Sequence, residues 1–384
     1  MSEKMLILTA IGFSERDYKR MGIDILKKRF KIEVLDFTEL FHPNYQKKSR
    51  EKVYKCDGYY KIDSMNNIYK FLKSRNAQYA FDRLGNLSDS LKVKRYLNIN
   101  NVKLIFYQAG LVPKNIRTKK EFLIKLIKMV LSPSIFYKKI KNKIKEKLII
   151  KPDNIYYDFV VISGTKGLDK IKNIKVGKKI HAHSRDYEAH IMSGEKNHLK
   201  FENYAVFLDQ FLPFHPGAIY RGEKSKATKE IYYPAMNNFF TKLEKKHKLK
   251  VIISAHPRSD DELNKKLFES RTSLKNKTLE LVKNSKIVIA HTSTSIAFAI
   301  IYKKPIIFLT SNEIRNSYDD YYIDSLSREI NSQIINIDNC DEELVQKLNF
   351  NQINQSRYEQ YYENYIKFPH SKNESMWKIV LDGI

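Results

Sequence analysis

Residues 286–312, KIVIAHTSTSIAFAIIYKKPIIFLTSN, admit few folds. Ile287-Val288-Ile289-Ala290 is a short apolar, β-branched run that reads as a strand buried on both faces. His291 follows, then four consecutive hydroxyl residues, Thr292, Ser293, Thr294 and Ser295. An apolar helix from Ile296 to Tyr302 leads through Lys303-Lys304-Pro305 to a second buried strand, Ile306 to Leu309. The hydroxyls therefore fall at a helix N-terminus, where unpaired backbone N–H groups and the helix dipole favour a phosphate. Upstream, Val251-Ile252-Ile253-Ser254-Ala255 reads as another strand, delivering His256, Pro257 and Arg258 to its carboxyl end. Ligands of open α/β sheets bind beyond those ends. Two phosphate-seeking devices on neighbouring strands point to a nucleotide site.

The same alternation runs through the whole chain. Strands are expected at Met5 to Ile11, Ile32 to Phe37, Ala77 to Phe81, Val102 to Tyr107, Phe159 to Ser163 and Asn203 to Asp209. Helices lie between them, one opening at Ser14-Glu15-Arg16-Asp17 with a capping pattern and one spanning Ile231 to Lys248. β/α alternation predicts parallel sheets covered on both faces. The expected division is an N-terminal Rossmann-like domain over 1–195 and a second over 196–365. Residues 366–384 form a last helix, packed back onto the body through Trp377 and Ile379-Val380-Leu381. The first βα turn, Ile11-Gly12-Phe13-Ser14, lacks the GxGxxG fingerprint, which argues against a dinucleotide dehydrogenase.

Charge and cysteine content narrow the setting. Lys and Arg number 70 against 43 acids, a net charge of +27. The excess is uneven: residues 114–151 hold 13 basic residues against Glu121 and Glu146. Phe122, Leu126, Met129, Val130, Ile140, Ile144 and Leu148 recur there at helical spacing. A basic amphipathic segment suits an anionic membrane surface, at about 1 kcal/mol per basic residue near the headgroups; the plainer alternative is two helices, broken at Pro133, with a solvated Lys face. Nucleic acid is not expected, because stacking aromatics do not interleave the lysines and no nucleic-acid module is present. Cys56 and Cys340 lie in different halves and form no disulfide framework, which fits a cytoplasmic protein. No run of about 18 apolar residues is present to span a bilayer, and the apolar N-terminus reads as a first strand rather than a signal peptide.

Together, HPR at 256–258 and HTSTS at 291–295 resemble the paired His-Pro and Ser-Ser/Thr motifs of bacterial sialyltransferases and related transferases that use CMP-activated sialic acid or Kdo. GFSERDYKRMGIDIL, IHAHSRDYEAHI, AVFLDQFLPFHPG, YYPAMNNFF and IISAHPR extend a likeness to surface-polysaccharide proteins over most of the chain. The resemblance implies a GT-B-like α/β fold, two Rossmann-like domains with parallel sheets facing an interdomain cleft. It implies that His256 and the hydroxyls of Ser293, Thr294 and Ser295 hold the CMP phosphate, with Pro257, Arg258 and Thr292 beside them. The implied function is transfer of an acidic sugar from a CMP-sugar to a lipid-linked or oligosaccharide acceptor, on the inner face of the cell membrane. One departure stands out. No clear Asp/Glu-Asp/Glu-Gly motif is found in the N-terminal half, where inverting sialyltransferases keep their base, so the stereochemical class is left open.

Remaining candidates follow from chemistry. No convincing Asp-x-Asp lies at a strand end, so no metal and no cofactor are expected, and fixed donors must stabilise the leaving phosphate. Asp209, closing an apolar strand, is the candidate base or nucleophile; alternatively it pins the turn from Gln210 to Pro216. His215 lies beside the same cleft. HAHSRD at 181–186 departs from the metallo-hydrolase HxHxDH pattern, since its Asp comes one residue late and no His follows. His183, Arg185 and Asp186 are expected instead to face substrate, with Arg185 pairing with a sugar carboxylate. Glu15 and Arg16 line the same cleft in a GT-B arrangement. The alternatives are a transferase or epimerase using a UDP- or GDP-sugar, with Lys303, Lys304 and Arg315 serving a second phosphate, or a non-catalytic basic membrane-binding protein.

Overall fold

The computed structural model describes residues 3–42, 52–66, 68–108, 110–113, 155–194, 199–215, 225, 227–315, 317–350 and 352–384. The basic segment 114–151 lies outside the described residues, and so does its expected membrane contact. The first sheet contains seven parallel strands: β1 (Glu3–Thr9), β2 (Phe30–Asp36), β3 (Tyr59–Lys61), β4 (Tyr79–Arg83), β5 (Lys103–Tyr107), β6 (Tyr156–Ile162) and β7 (Lys175–His181). Their order is β3-β2-β1-β4-β5-β6-β7. The second sheet contains β8 (Tyr204–Leu208), β9 (Lys250–Ala255), β10 (Ser273–Lys275), β11 (Ile287–Ala290), β12 (Ile306–Thr310) and β13 (Gln333–Asn336), ordered β10-β9-β8-β11-β12-β13 and parallel throughout. Two doubly wound sheets of this kind are the GT-B-like α/β architecture.

Strand order reverses between β1 and β4 in the first sheet and between β8 and β11 in the second. Connecting helices leave in opposite directions at such a point and open a crevice above the strand ends. The central strands read clearly from sequence because both their faces are buried. Leu6 and Leu8 of β1 enter one core, while Met5 and Ile7 enter the other, the period-two alternation of a covered strand. Strands β3, β7, β10 and β13 were not anticipated. All are sheet edges, and β7 (KVGKKIH) is largely exposed. Its lysines protect the edge from further pairing and erase the apolar signal.

The chain finishes on the first domain. Met376, Trp377, Ile379 and Val380 of the Met376–Gly383 helix join the core under one face of the first sheet. Trp377 packs against Phe81 and Tyr107, at 5.4 and 6.1 Å between ring centroids, and its Nε1–H donates to the Arg20 carbonyl at 2.9 Å. Gly22 permits this contact. Its φ is +54°, and a Cβ there would stand 2.3 Å from the indole, so only glycine fits. Among the described residues no helix is long and apolar enough to cross a membrane.

Candidate functional site

The carboxyl ends of β9, β8 and β11 are adjacent, and the second domain's candidate residues stand there. Asp209 follows β8 directly and is 6% exposed. Its Oδ1 accepts from the Phe211 N–H at 2.8 Å, holding Phe211 in the left-handed region at φ 55°; this is the turn-pinning role. Its Oδ2 is buried with no hydrogen-bond partner. Burial pushes this carboxyl up to about 6, against the backbone N–H groups of Phe211 and His256.

His256, just beyond β9, is half-buried. Its Nδ1 accepts from the Arg258 N–H at 3.2 Å, so in the neutral ring the proton sits on Nε2. The His256 carbonyl accepts from both the N–H and the hydroxyl of Ser259, at 2.9 and 2.8 Å, which fixes the turn. Burial, then the charges of His215, Arg258 and Arg16, lower the imidazole to about 4. His256 is therefore a neutral N–H donor at physiological pH. The His215 ring lies 5.9 Å from it, while Pro257 and Arg258 are exposed.

The hydroxyl turn is tied to β8 by a reciprocal clamp. The Thr292 N–H donates to Gln210 Oε1 at 2.7 Å, and Gln210 Nε2 donates to Thr292 Oγ1 at 2.8 Å. Ser293 Oγ accepts from the Ser295 N–H at 3.2 Å, a local bond within the turn, whereas Thr294 is exposed. The following helix is short, Ile296–Ile301, so its dipole is small and the polar character of the turn rests on its backbone N–H groups and hydroxyls. Beneath the turn, His291 is fully buried. Its Nδ1 donates to the Leu309 carbonyl at 2.7 Å, which makes Nε2 the acceptor for the Tyr232 hydroxyl at 2.8 Å. Desolvation lowers His291 to about 4.

The first domain contributes Arg16, whose charge acts on His256. It belongs to the Glu15–Arg20 helix, capped by Ser14 and Asp17 in a full capping box. Arg185 opens the Arg185–Ser193 helix and lies over the Tyr107 ring at 5.9 Å. It lines a small cleft with Arg20, Arg83, Asp17, Tyr107 and Trp377. Desolvation pushes Asp186 up to about 6, with Arg20 and Arg185 acting in the other direction.

The histidines of IHAHSRDYEAH diverge. His181 stacks on Phe368 at 3.7 Å, and His190 Nδ1 meets the Tyr302 hydroxyl at 2.9 Å. His183 is 0% exposed, with Nε2 2.9 Å from the Glu374 carbonyl and Nδ1 3.2 Å from that of Ser184. It ties the C-terminal segment to β7 and presents no ring atom to a ligand. Among the described residues no three His, Cys, Asp or Glu side chains gather as a metal site.

The structure thus brings Asp209, His215, His256, Arg258 and the 292–295 turn to one sheet end, and sets Arg185 and Asp186 on the first domain. Sequence reasoning missed Gln210, Tyr232, Arg20 and Arg83. Only Arg83 carried a local signal, as the residue that ends the strand YAFDR.

No protein-family model and no curated protein matches the sequence. Solved structures do match the fold. The wall teichoic acid polymerase TagF aligns over 99% of this chain and 88% of its own, at 11% identity and a TM-score of 0.53. A Listeria monocytogenes protein assigned as a UDP-N-acetylglucosamine 2-epimerase aligns over 99% and 95%, at 9% identity and a TM-score of 0.50. At such identities the likeness establishes the GT-B-like fold.

Proposed function

We propose that this chain is a metal-independent glycosyltransferase of surface-polysaccharide assembly. In this reading it moves an acidic sugar, Kdo or a sialic-acid relative, from its CMP-activated form to a glycan or lipid-linked acceptor. The observation that carries it is that His256 and the 292–295 turn stand at the carboxyl ends of β9 and β11, the two strands that flank β8 where strand order reverses, with the charge of Arg16, on the other domain, acting on His256. As a CMP-sugar breaks, charge builds on its single phosphate. The His256 Nε2–H, the Arg258 guanidinium, the backbone of the turn and the Ser293 and Ser295 hydroxyls are donors suited to that charge. One such donor is worth about 2.7–4 kcal/mol in a transition state.

Asp209 is assigned to acceptor activation through its unpartnered Oδ2, with a pKa near 6 that suits a base at neutral pH. His215 stands beside the reacting centre. His183 is left out of substrate contact because both its ring nitrogens meet main-chain carbonyls.

A thermal-shift series with CMP, UDP and GDP tests the donor class. CMP should stabilise most, since one phosphate fills the single turn. A larger shift with UDP or GDP would move the assignment to a diphosphate sugar, as in the name borne by the epimerase-like neighbour. Release of CMP from a panel of CMP-sugars then identifies the sugar.

A further inference from the structure

The cleft beside Trp377 is lined by first-domain residues and the C-terminal helix, and its charge is unbalanced. Arg20, Arg83 and Arg185 converge there on the first domain. Arg83 donates to Asp17 at 3.1 Å, and its side chain is 12% exposed. Among the described residues the guanidinium groups of Arg20 and Arg185 have no carboxylate within ion-pair distance; Asp186 acts on them only from farther away. Three guanidinium groups around one close carboxylate repel one another, and Arg20 is lowered to about 10 by desolvation, with Arg16 and Arg185 adding to it and Asp186 and Asp17 opposing it. Tyr107, under Arg185, gives it a flat apolar support. The cleft has only about 30 Å³ open to water-sized groups, room for an end group and too little for a sugar ring.

We propose that this cleft binds an oxyanion, a carboxylate or a phosphate, projecting from a glycan docked on the first domain. Two planar guanidinium forks with no carboxylate at ion-pair distance among the described residues suit bidentate contact with either group. That the glycan is the acceptor rests on the proposed function, since the donor residues lie on the other domain; the anion site itself does not.

Trp377 is the only tryptophan in the chain and lines the cleft, so its emission, excited beyond the tyrosine band, reports occupancy directly. The full-length protein is titrated with a galacturonate trisaccharide, with galactose 1-phosphate and with a neutral galactose trisaccharide. The expected result is a saturable change with one or both acidic sugars and none with the neutral one; whichever acid responds identifies the group. Arg20→Ala and Arg185→Ala should each weaken that response at least tenfold. Arg185→Lys, which keeps the charge and the fold, should weaken it severalfold. CMP binding is measured on the same samples. CMP binding without any response to either acidic sugar, or equal responses to neutral and acidic sugars, overturns the anion site and leaves the nucleotide assignment standing. Loss of CMP binding by the native protein alongside a normal acidic response does the reverse.

Discussion

Gln210 and Thr292 hold each other by two opposed hydrogen bonds, 2.7 and 2.8 Å long, across the gap between the ends of β8 and β11. The clamp sets the hydroxyl turn at a fixed distance from Asp209 without itself needing to touch a ligand. Gln210→Ala removes both bonds and strands the Thr292 N–H. The expected outcome is a stability loss of about 1–2 kcal/mol in urea denaturation and a fall of roughly tenfold in CMP affinity by calorimetry. Unchanged affinity would mean that the turn holds its shape alone.

Asp209 carries an opposite pair of predictions. Its folded pKa, about 6, lies above the ordinary 3.8. The folded protein therefore binds the proton more tightly than the unfolded chain, and ionisation costs stability as pH rises from about 4 to 6. Asp209→Asn should stabilise the fold above pH 6 by roughly 1–3 kcal/mol, because the amide oxygen still accepts from Phe211. The same change should lower turnover at least ~100-fold and abolish the acid limb of the pH–rate profile near pH 6. A stable variant with normal turnover would reduce Asp209 to a turn-pinning residue.

His291 titrates in the other sense. Its folded pKa of about 4 lies below the usual 6.5, so its contribution is complete above pH 6.5 and is lost as pH falls towards 4, where the unfolded chain takes up the proton first. His291→Gln should narrow the stability difference between pH 7 and pH 5 by on the order of 1–2 kcal/mol relative to the native protein. Melting curves at the two pH values check this; an unchanged difference would place the acid sensitivity elsewhere.

Trp377 and Gly22 are coupled sterically. Trp377→Ala empties a site that is 2% exposed and should cost about 3–5 kcal/mol. Gly22→Ala is destabilising in the native protein, because a Cβ would stand 2.3 Å from the indole. In the Trp377→Ala background its cost should shrink to the strain of the positive φ alone. Equal costs in both backgrounds would show that the indole does not set the requirement for glycine.

Legibility in the sequence followed burial and sequence distance. The central strands announced themselves because nothing polar interrupts Leu6 to Leu8 or Ile287 to Ala290, and HPR and HTSTS were visible because their residues are contiguous. The edge strand KVGKKIH was hidden by the lysines that keep it unpaired. The Gln210–Thr292 clamp spans 82 residues, and the electrostatic influence of Arg16 on His256 crosses from one domain to the other, so no local pattern encodes either. His183 looked like a ligand-facing histidine because its true partner, the Glu374 carbonyl, lies 191 residues away on a segment whose return path only the fold reveals. Arg185 was expected from its chemistry to pair with a sugar carboxylate, whereas its neighbour Arg20 comes from another helix and carried no local signal, and Arg83 stood out only as the residue that ends β4.

The central claim is that His256 and the hydroxyl turn grip one phosphate together. A double-mutant cycle on CMP affinity, using His256→Ala, Ser293→Ala and the combined variant in calorimetry, measures this directly. Groups sharing one phosphate predict a coupling of about 1 kcal/mol or more, with each single change weakening binding at least ~tenfold. Strictly additive effects, or single variants that bind CMP like the native protein, would contradict it.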